Sequence, residues 1–147
     1  MHFVVEKDSK WDPQIYTKIV ICNLKTTEML EMHKKNKIVL LNTLDCKNYA
    51  KGHIPNSYNL HYTEIDAMSR EELTNWISEI VSSHYPKLDK LVKSGKIAIY
   101  ELPIVVYCGN KRCNLSEKAA IALYNKGFVN VRDYEDGMKG YHKNLQN

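Results

Sequence analysis

Two cysteines five residues apart, Cys108 and Cys113, bracket Gly109, Asn110, Lys111 and Arg112. A cysteine reacts as its thiolate, so its chemistry depends on what surrounds the sulfur. Lys111 and Arg112 place two cations within or beside this loop. Ile104 to Tyr107, just upstream, is a short apolar run rich in β-branched residues, the pattern of a strand buried on both faces. Downstream, Leu115, Ala119, Ala120, Leu123 and Tyr124 recur at helical spacing. A strand–loop–helix turn this short aims its loop amides at one point, at the positive end of a helix dipole. Such a nest holds an anion, and with Cys108 at its base that anion can be the thiolate itself. Gly109 is expected to let the backbone turn sharply and approach a ligand closely. Asn114 is expected to cap the helix, with Glu117 as its capping-box partner. Dipole, amides and cations together draw a thiol pKa down, in known cases to about 3.5–7.5. The plain alternative is a strand-end cysteine packed as a small hydrophobe; the loop around Cys108 favours the nucleophile.

The other candidates carry competing readings. Lys111 and Arg112 either hold an anionic substrate or stand as ordinary cations on a solvated loop tip. Cys113 either closes a redox-sensitive disulfide with Cys108 or faces the core at the helix start, and packing is the expectation. His53, in Gly-His-Ile-Pro, is expected to be a hydrogen-bonded turn residue and not a catalytic base. Cys22 and Cys46 lack a partner at metal-ligand spacing, so no metal site is expected. Asp66, Glu71 and Glu72 read as a polar helix face, and Trp76, Tyr85 and Tyr141 as core or rim.

The chain's 147 residues, 44% apolar and 26% charged, suit one globular domain. The net charge of +4 is spread along the chain, which argues against a dedicated nucleic-acid binder. No apolar run approaches membrane-spanning length. The N-terminal segment from Met1 to Asp8 lacks the apolar core of a signal peptide. A soluble cytoplasmic protein with reduced thiols is therefore expected, without membrane or nucleic-acid partners.

Residues 1–24 read as an arm and first strand that pack onto the domain, with Val4, Val5, Trp11, Ile15 and Tyr16 as contacts. Within that stretch the strand covers Ile19 to Leu24. A helix capped by Thr26 or Thr27 follows, then a buried strand at Val39 to Leu44. Cys46 to Lys51 is a short helix closed by Gly52, and Tyr58 to Leu60 a short strand. Residues 64–95 are strongly helical, with a Ser69–Glu72 capping box and a second helix opened by Pro86 and ended by Ser94-Gly95. Ile97 to Glu101 reads as an added strand or an extended lead-in. A last strand at Val129 to Tyr134 precedes a terminal helix. Helices alternating with short buried strands imply an α/β fold, a mostly parallel sheet covered on both faces. Ligands in such sheets bind outside the C-terminal strand ends, where Cys108 lies.

Three motifs carry a family resemblance. Ile104-Val-Val-Tyr-Cys108, the loop, Ser116-Glu-Lys-Ala-Ala120 and Gly127-Phe-Val-Asn-Val131 resemble the active-site half of a rhodanese-like domain. Gly52-His-Ile-Pro-Asn-Ser-Tyr-Asn-Leu60 resembles that family's Gly-His-Ile-Pro-Gly-Ala signature. Gly137-Met-Lys-Gly-Tyr141 resembles its closing Gly-Gly-x-x-x-Trp. The likeness spans residues 25 to 144, within a domain taken as 25–147. It implies a rhodanese-like fold and a sulfurtransferase, with Cys108 carrying sulfane sulfur as a persulfide. Gly109, Asn110, Lys111, Arg112 and Cys113 would bind the substrate, largely through loop amides. The partners implied are a small anionic donor such as thiosulfate and a thiophilic acceptor such as cyanide, glutathione or a protein thiol. No cofactor is implied, and a protein partner remains open.

Departures from the pattern are Asn42-Thr-Leu44 for Asp-Val-Arg, Asn56 for the second Gly, Asp136 for the first closing Gly and Tyr141 for Trp. A non-catalytic interaction module is the main alternative, with the helical stretch Ser69 to Lys93 as docking surface. A phosphatase or arsenate reductase of related fold ranks below it. Those sites need an Arg six residues after the Cys, where this chain has Asn114.

Overall fold

The computed structural model describes residues 2–7 and 16–146, with side chains from residue 21 onward. Its elements are β1 (His2–Lys7), β2 (Tyr16–Ile21), α1 (Thr26–Lys34), β3 (Val39–Asn42), α2 (Cys46–Lys51), β4 (Tyr58–Asn59) and α3 (Tyr62–Ala67). There follow α4 (Arg70–His84), α5 (Pro86–Lys93), β5 (Ile104–Tyr107), α6 (Leu115–Asn125), β6 (Val131–Tyr134) and α7 (Gly137–Leu145). The arm's Trp11 and Ile15 lie outside the described residues. β1 and β2 form an antiparallel hairpin, and just beyond β2 Asn23 bridges in parallel to Asp133 of β6.

The central sheet is parallel, in the order β4-β3-β5-β6. Side chains alternate across it with the two-residue period of a strand. Val39, Leu41, Ile104, Val106 and Val131 enter one core, with Ile65 of α3, Leu73 and Ile77 of α4, and Ala119 and Leu123 of α6. Leu40, Val105, Tyr107 and Tyr134 enter the other, with Met29 of α1, Ile54, and Met138 and Tyr141 of α7. Both strand faces are covered, which is why β3 and β5 are apolar at every position but the polar ends, Asn42 and Tyr107. From β3 the chain steps to β4 on one side and later to β5 on the other, so the strand order reverses between β3 and β5. Ligand crevices of open α/β sheets form at such a switch point, beyond the strand C-termini.

Local chemistry fixes the inserted helices. Ser69 Oγ accepts the Glu72 amide at 3.0 Å, and Glu72 accepts the Ser69 amide at 3.0 Å, completing the capping box. That hydrogen bond holds the Glu72 carboxyl below its usual range. Pro86 opens α5, and Gly95 follows its end in a left-handed conformation. Residues 99–101 form a single 3-10 turn, not a strand. Its Glu101 side chain accepts the Ala98 amide at 2.8 Å, which closes the turn locally. Lys126, at the end of α6, donates to the carbonyls of Ile65, Asp66 and Met68, tying the inserted helices to the site-bearing helix. Among the described residues, no helix is long and apolar enough to cross a membrane.

Candidate active site

Cys108 is the first residue past β5 and is 1% exposed. The loop closes tightly behind it: the Cys113 amide donates to the Asn110 carbonyl at 3.0 Å, and the Arg112 amide to Asn110 Oδ1 at 2.8 Å. This turn returns Cys113 to Cys108, and the two form a disulfide with Cα atoms 6.4 Å apart, within the usual range for such bridges. The packing expectation for Cys113 is therefore corrected. The Asn110 turn points its side chain at Cys108, and Cys113 stays half-buried.

Two further expectations change. Asn114 sits at the N-cap of α6, but its side chain caps nothing. Its ψ of 7° is far from the extended backbone that points a capping side chain back at the first-turn amides. Gly109 is outside the left-handed region, and a Cβ there would meet nothing within 4 Å. The backbone turn therefore does not require glycine at this position.

The glycine that the site does require is Gly137. Its φ is +61°, and a Cβ there would lie 2.9 Å from the carbonyl carbons of both Cys108 and Gly109. The first turn of α7 rests on the active-site loop, with the Met138 amide donating to the Cys108 carbonyl and the Lys139 amide to the Gly109 carbonyl, both at 2.9 Å. A helix N-terminus thus holds the base of the loop by its carbonyls.

Ser116, in the first turn of α6, is 2% exposed, and its hydroxyl lies 3.4 Å from Cys108 Sγ. It can donate to a sulfur anion there. Sequence reasoning left it as one letter of a family motif. The available signal was a small polar residue in the first turn of an otherwise apolar helix, since a buried hydroxyl needs a partner.

Tyr107, immediately before Cys108, connects the site to the upstream motif. Its phenol accepts the Ile54 amide at 2.9 Å and donates to Ser57 Oγ at 2.6 Å, while Ser57 donates to the Ile54 carbonyl at 2.6 Å. Burial pushes the Tyr107 phenol pKa up, so it stays a neutral donor. Its carbonyl accepts both the amide and the hydroxyl of Thr43 at 2.9 Å. Asn42 is buried and accepts the Leu44 amide at 2.9 Å. A neutral hydrogen-bonded turn thus stands where the family's Asp-Val-Arg would place charges. His53 Nδ1 lies 2.9 Å from the Tyr49 carbonyl, with the ring stacked on Tyr49, in the structural turn role expected of it. Asn56 takes the left-handed conformation, with φ 62°.

A groove of about 510 Å³ opens beside the loop, lined by Lys111, Arg112, Lys139 and Lys143 with one carboxylate, Asp136. Lys111 reaches Asp136 at 3.5 Å across an exposed surface. Lys139 and Lys143 come from α7 and were not among the sequence candidates. The excess of cations suits a small anion. Cys22 and Cys46 are exposed and free. On the reduced protein, iodoacetamide labelling should reach half its maximal rate at a lower pH for Cys108 than for Cys22 or Cys46. The helix start and cations favour the thiolate, and alkylation follows the thiolate fraction. A midpoint for Cys108 at or above the other two would remove the argument that the loop stabilises an anion.

The chain belongs to the rhodanese-like domain family, whose model matches residues 25–144. Comparison with curated proteins gave no match. Among solved structures, the chain is similar to the human single-domain sulfurtransferase TSTD1, with 16% identity, 84% of this chain and 97% of that one covered, and a TM-score of 0.59. It is similar to the single-domain sulfurtransferase RDL2 of Saccharomyces cerevisiae, with 10% identity, coverage of 87% and 94%, and a TM-score of 0.58. A rhodanese-related protein from Thermoplasma volcanium matches with 19% identity, coverage of 84% and 92%, and a TM-score of 0.53. These likenesses define a shared fold.

Proposed function

We propose that the protein is a sulfurtransferase that carries sulfane sulfur on Cys108, taking it from thiosulfate or a similar donor. The observation that carries this reading is the placement of Cys108. It stands at the C-terminal end of a central parallel strand, against the uncapped start of α6, with the Ser116 hydroxyl at 3.4 Å and a cationic groove alongside. The family and the fold shared with single-domain sulfurtransferases support it.

In the first step the Cys108 thiolate attacks the outer sulfur of thiosulfate. The bond between the two thiosulfate sulfurs breaks, sulfite departs as a dianion, and Cys108 keeps a persulfide anion. The uncapped first-turn amides of α6 and the Ser116 hydroxyl stabilise negative charge at the sulfur, as preorganised donors do in an oxyanion hole. Lys111, Arg112, Lys139 and Lys143 attract the donor and offset the charge of the departing sulfite. A thiophilic acceptor, which can be cyanide, glutathione or a protein thiol, then takes the outer sulfur. The cycle needs Cys108 reduced at its start, which fits a cytoplasmic setting.

The test uses reduced protein mixed anaerobically with thiosulfate and excess cyanide. One sulfite should appear for each thiocyanate formed, over many turnovers. No sulfite or thiocyanate, with thiosulfate or other sulfane donors, would favour an interaction module instead.

A further inference from the structure

The Cys108–Cys113 pair offers the persulfide an exit that needs no external acceptor. We propose that Cys113 is a resolving thiol, which makes the protein a hydrosulfide-releasing thiosulfate reductase driven by a dithiol. This inference rests on the sulfurtransferase reading above and extends it.

The geometry is that of the product. The two sulfurs are bonded to each other, so Cys113 reaches the inner sulfur of a Cys108 persulfide, which is Cys108 Sγ. The reaction is balanced. The Cys113 thiolate attacks Cys108 Sγ, and the bond from Sγ to the outer sulfur breaks. The outer sulfur of the persulfide anion takes up the proton that Cys113 loses on becoming a thiolate, and leaves as hydrosulfide. The sulfane sulfur is reduced by two electrons and the two cysteines are oxidised to the disulfide.

Exposure favours this route over an outside thiol. Cys108 is 1% exposed, whereas Cys113 is already inside the site, five residues away on a loop closed by the Asn110 hydrogen bonds. A thiol held there acts at an effective concentration no free thiol attains.

The same asymmetry serves regeneration. Cys113 is the more exposed residue of the disulfide, so an external dithiol attacks there. Cys108 then leaves as the thiolate stabilised by the loop and Ser116, and a thiol of low pKa leaves faster. The second thiol of the reductant releases Cys113, with the reductant leaving as its own disulfide. Over one cycle thiosulfate and a dithiol give sulfite, hydrosulfide and the oxidised dithiol.

The test is a single turnover. Reduced protein, freed of reductant and kept anaerobic, receives thiosulfate without any acceptor. The wild-type chain should release one sulfite and one hydrosulfide per protein and end two hydrogens lighter, with Cys108 and Cys113 joined. Cys113→Ser should release sulfite but no hydrosulfide, and end one sulfur atom heavier at Cys108. Its sulfite burst also shows that the variant is folded. Wild-type protein that keeps the added sulfur, or Cys113→Ser that releases hydrosulfide as the wild type does, would overturn the resolving role while leaving the sulfurtransferase reading intact. If neither protein releases sulfite, the sulfurtransferase reading fails, and the resolving role falls with it.

Discussion

Cys108→Ser should release no sulfite from thiosulfate above background and form no thiocyanate. The chemistry requires an atom that ionises near neutral pH and can bond to a second sulfur. A serine hydroxyl does neither, and cysteine is the least handicapped of the free nucleophiles because part of it is already thiolate at pH 7. Nothing else near the loop substitutes for it. Ser116 is a hydroxyl, and Cys113 stands half-buried at the helix start, without the strand-end position of Cys108. The fold should survive: the exchange puts a small hydroxyl beside Ser116, at a cost of about 1 kcal/mol. Measured under reducing conditions, where the disulfide contributes nothing, Tm should fall by roughly 3 °C. Sulfite release by Cys108→Ser at the wild-type rate would place the nucleophile elsewhere, with Cys113 the first residue to test.

Gly137→Ala should damage both stability and activity, although Gly137 has no side chain and touches no substrate. Two costs add. Alanine at φ +61° bears the left-handed penalty, about 1–2 kcal/mol. Its Cβ would also press on the Cys108 carbonyl and lie 2.9 Å from the carbonyl carbons of Cys108 and Gly109. Those are backbone atoms that no rotamer change can move aside. To relieve the clash, α7 must lift off the loop and stretch the hydrogen bonds from Met138 and Lys139. A total near 3 kcal/mol, and so a Tm lower by about 10 °C, is expected. Sulfite release should fall even at temperatures where the variant is folded, because the strain enters at the base of the nucleophile's loop. Gly52→Ala is the control: φ there is 168°, ordinary extended backbone, with nothing within 4 Å of the added Cβ. If Gly137→Ala melts and reacts as Gly52→Ala does, the contact between α7 and the loop does not position Cys108.

The sequence determined what depends on neighbours along the chain. Ile104 to Tyr107 is a buried strand because a parallel strand covered on both faces must be apolar along nearly its whole length. Ser69 and Glu72 begin α4, and Pro86 begins α5, because capping is settled within one turn. The same locality places Cys108 at a strand end before a short loop and a helix. Where backbone angles decide, residue types along the chain did not settle the outcome. Asn114 has a capping side chain, but the loop gives it the wrong ψ. Residues 97–101 read as an added strand or an extended lead-in, and Glu101 closes residues 99–101 into a 3-10 turn.

Tertiary structure decided what depends on residues far apart. Gly137 is needed because α7 returns from the far end of the chain to lie on the Cys108 carbonyl. Lys139 and Lys143 join Lys111 and Arg112 only because that helix and the loop border one groove. The Tyr107 phenol reads as one more apolar core residue until the chain brings Ile54 and Ser57 to it. Cys113 was expected to pack at the helix start, although the spacing equally allows a disulfide. The Asn110 turn settles it by directing the sulfur to Cys108, since a side chain's direction is set by backbone angles and not by spacing along the chain.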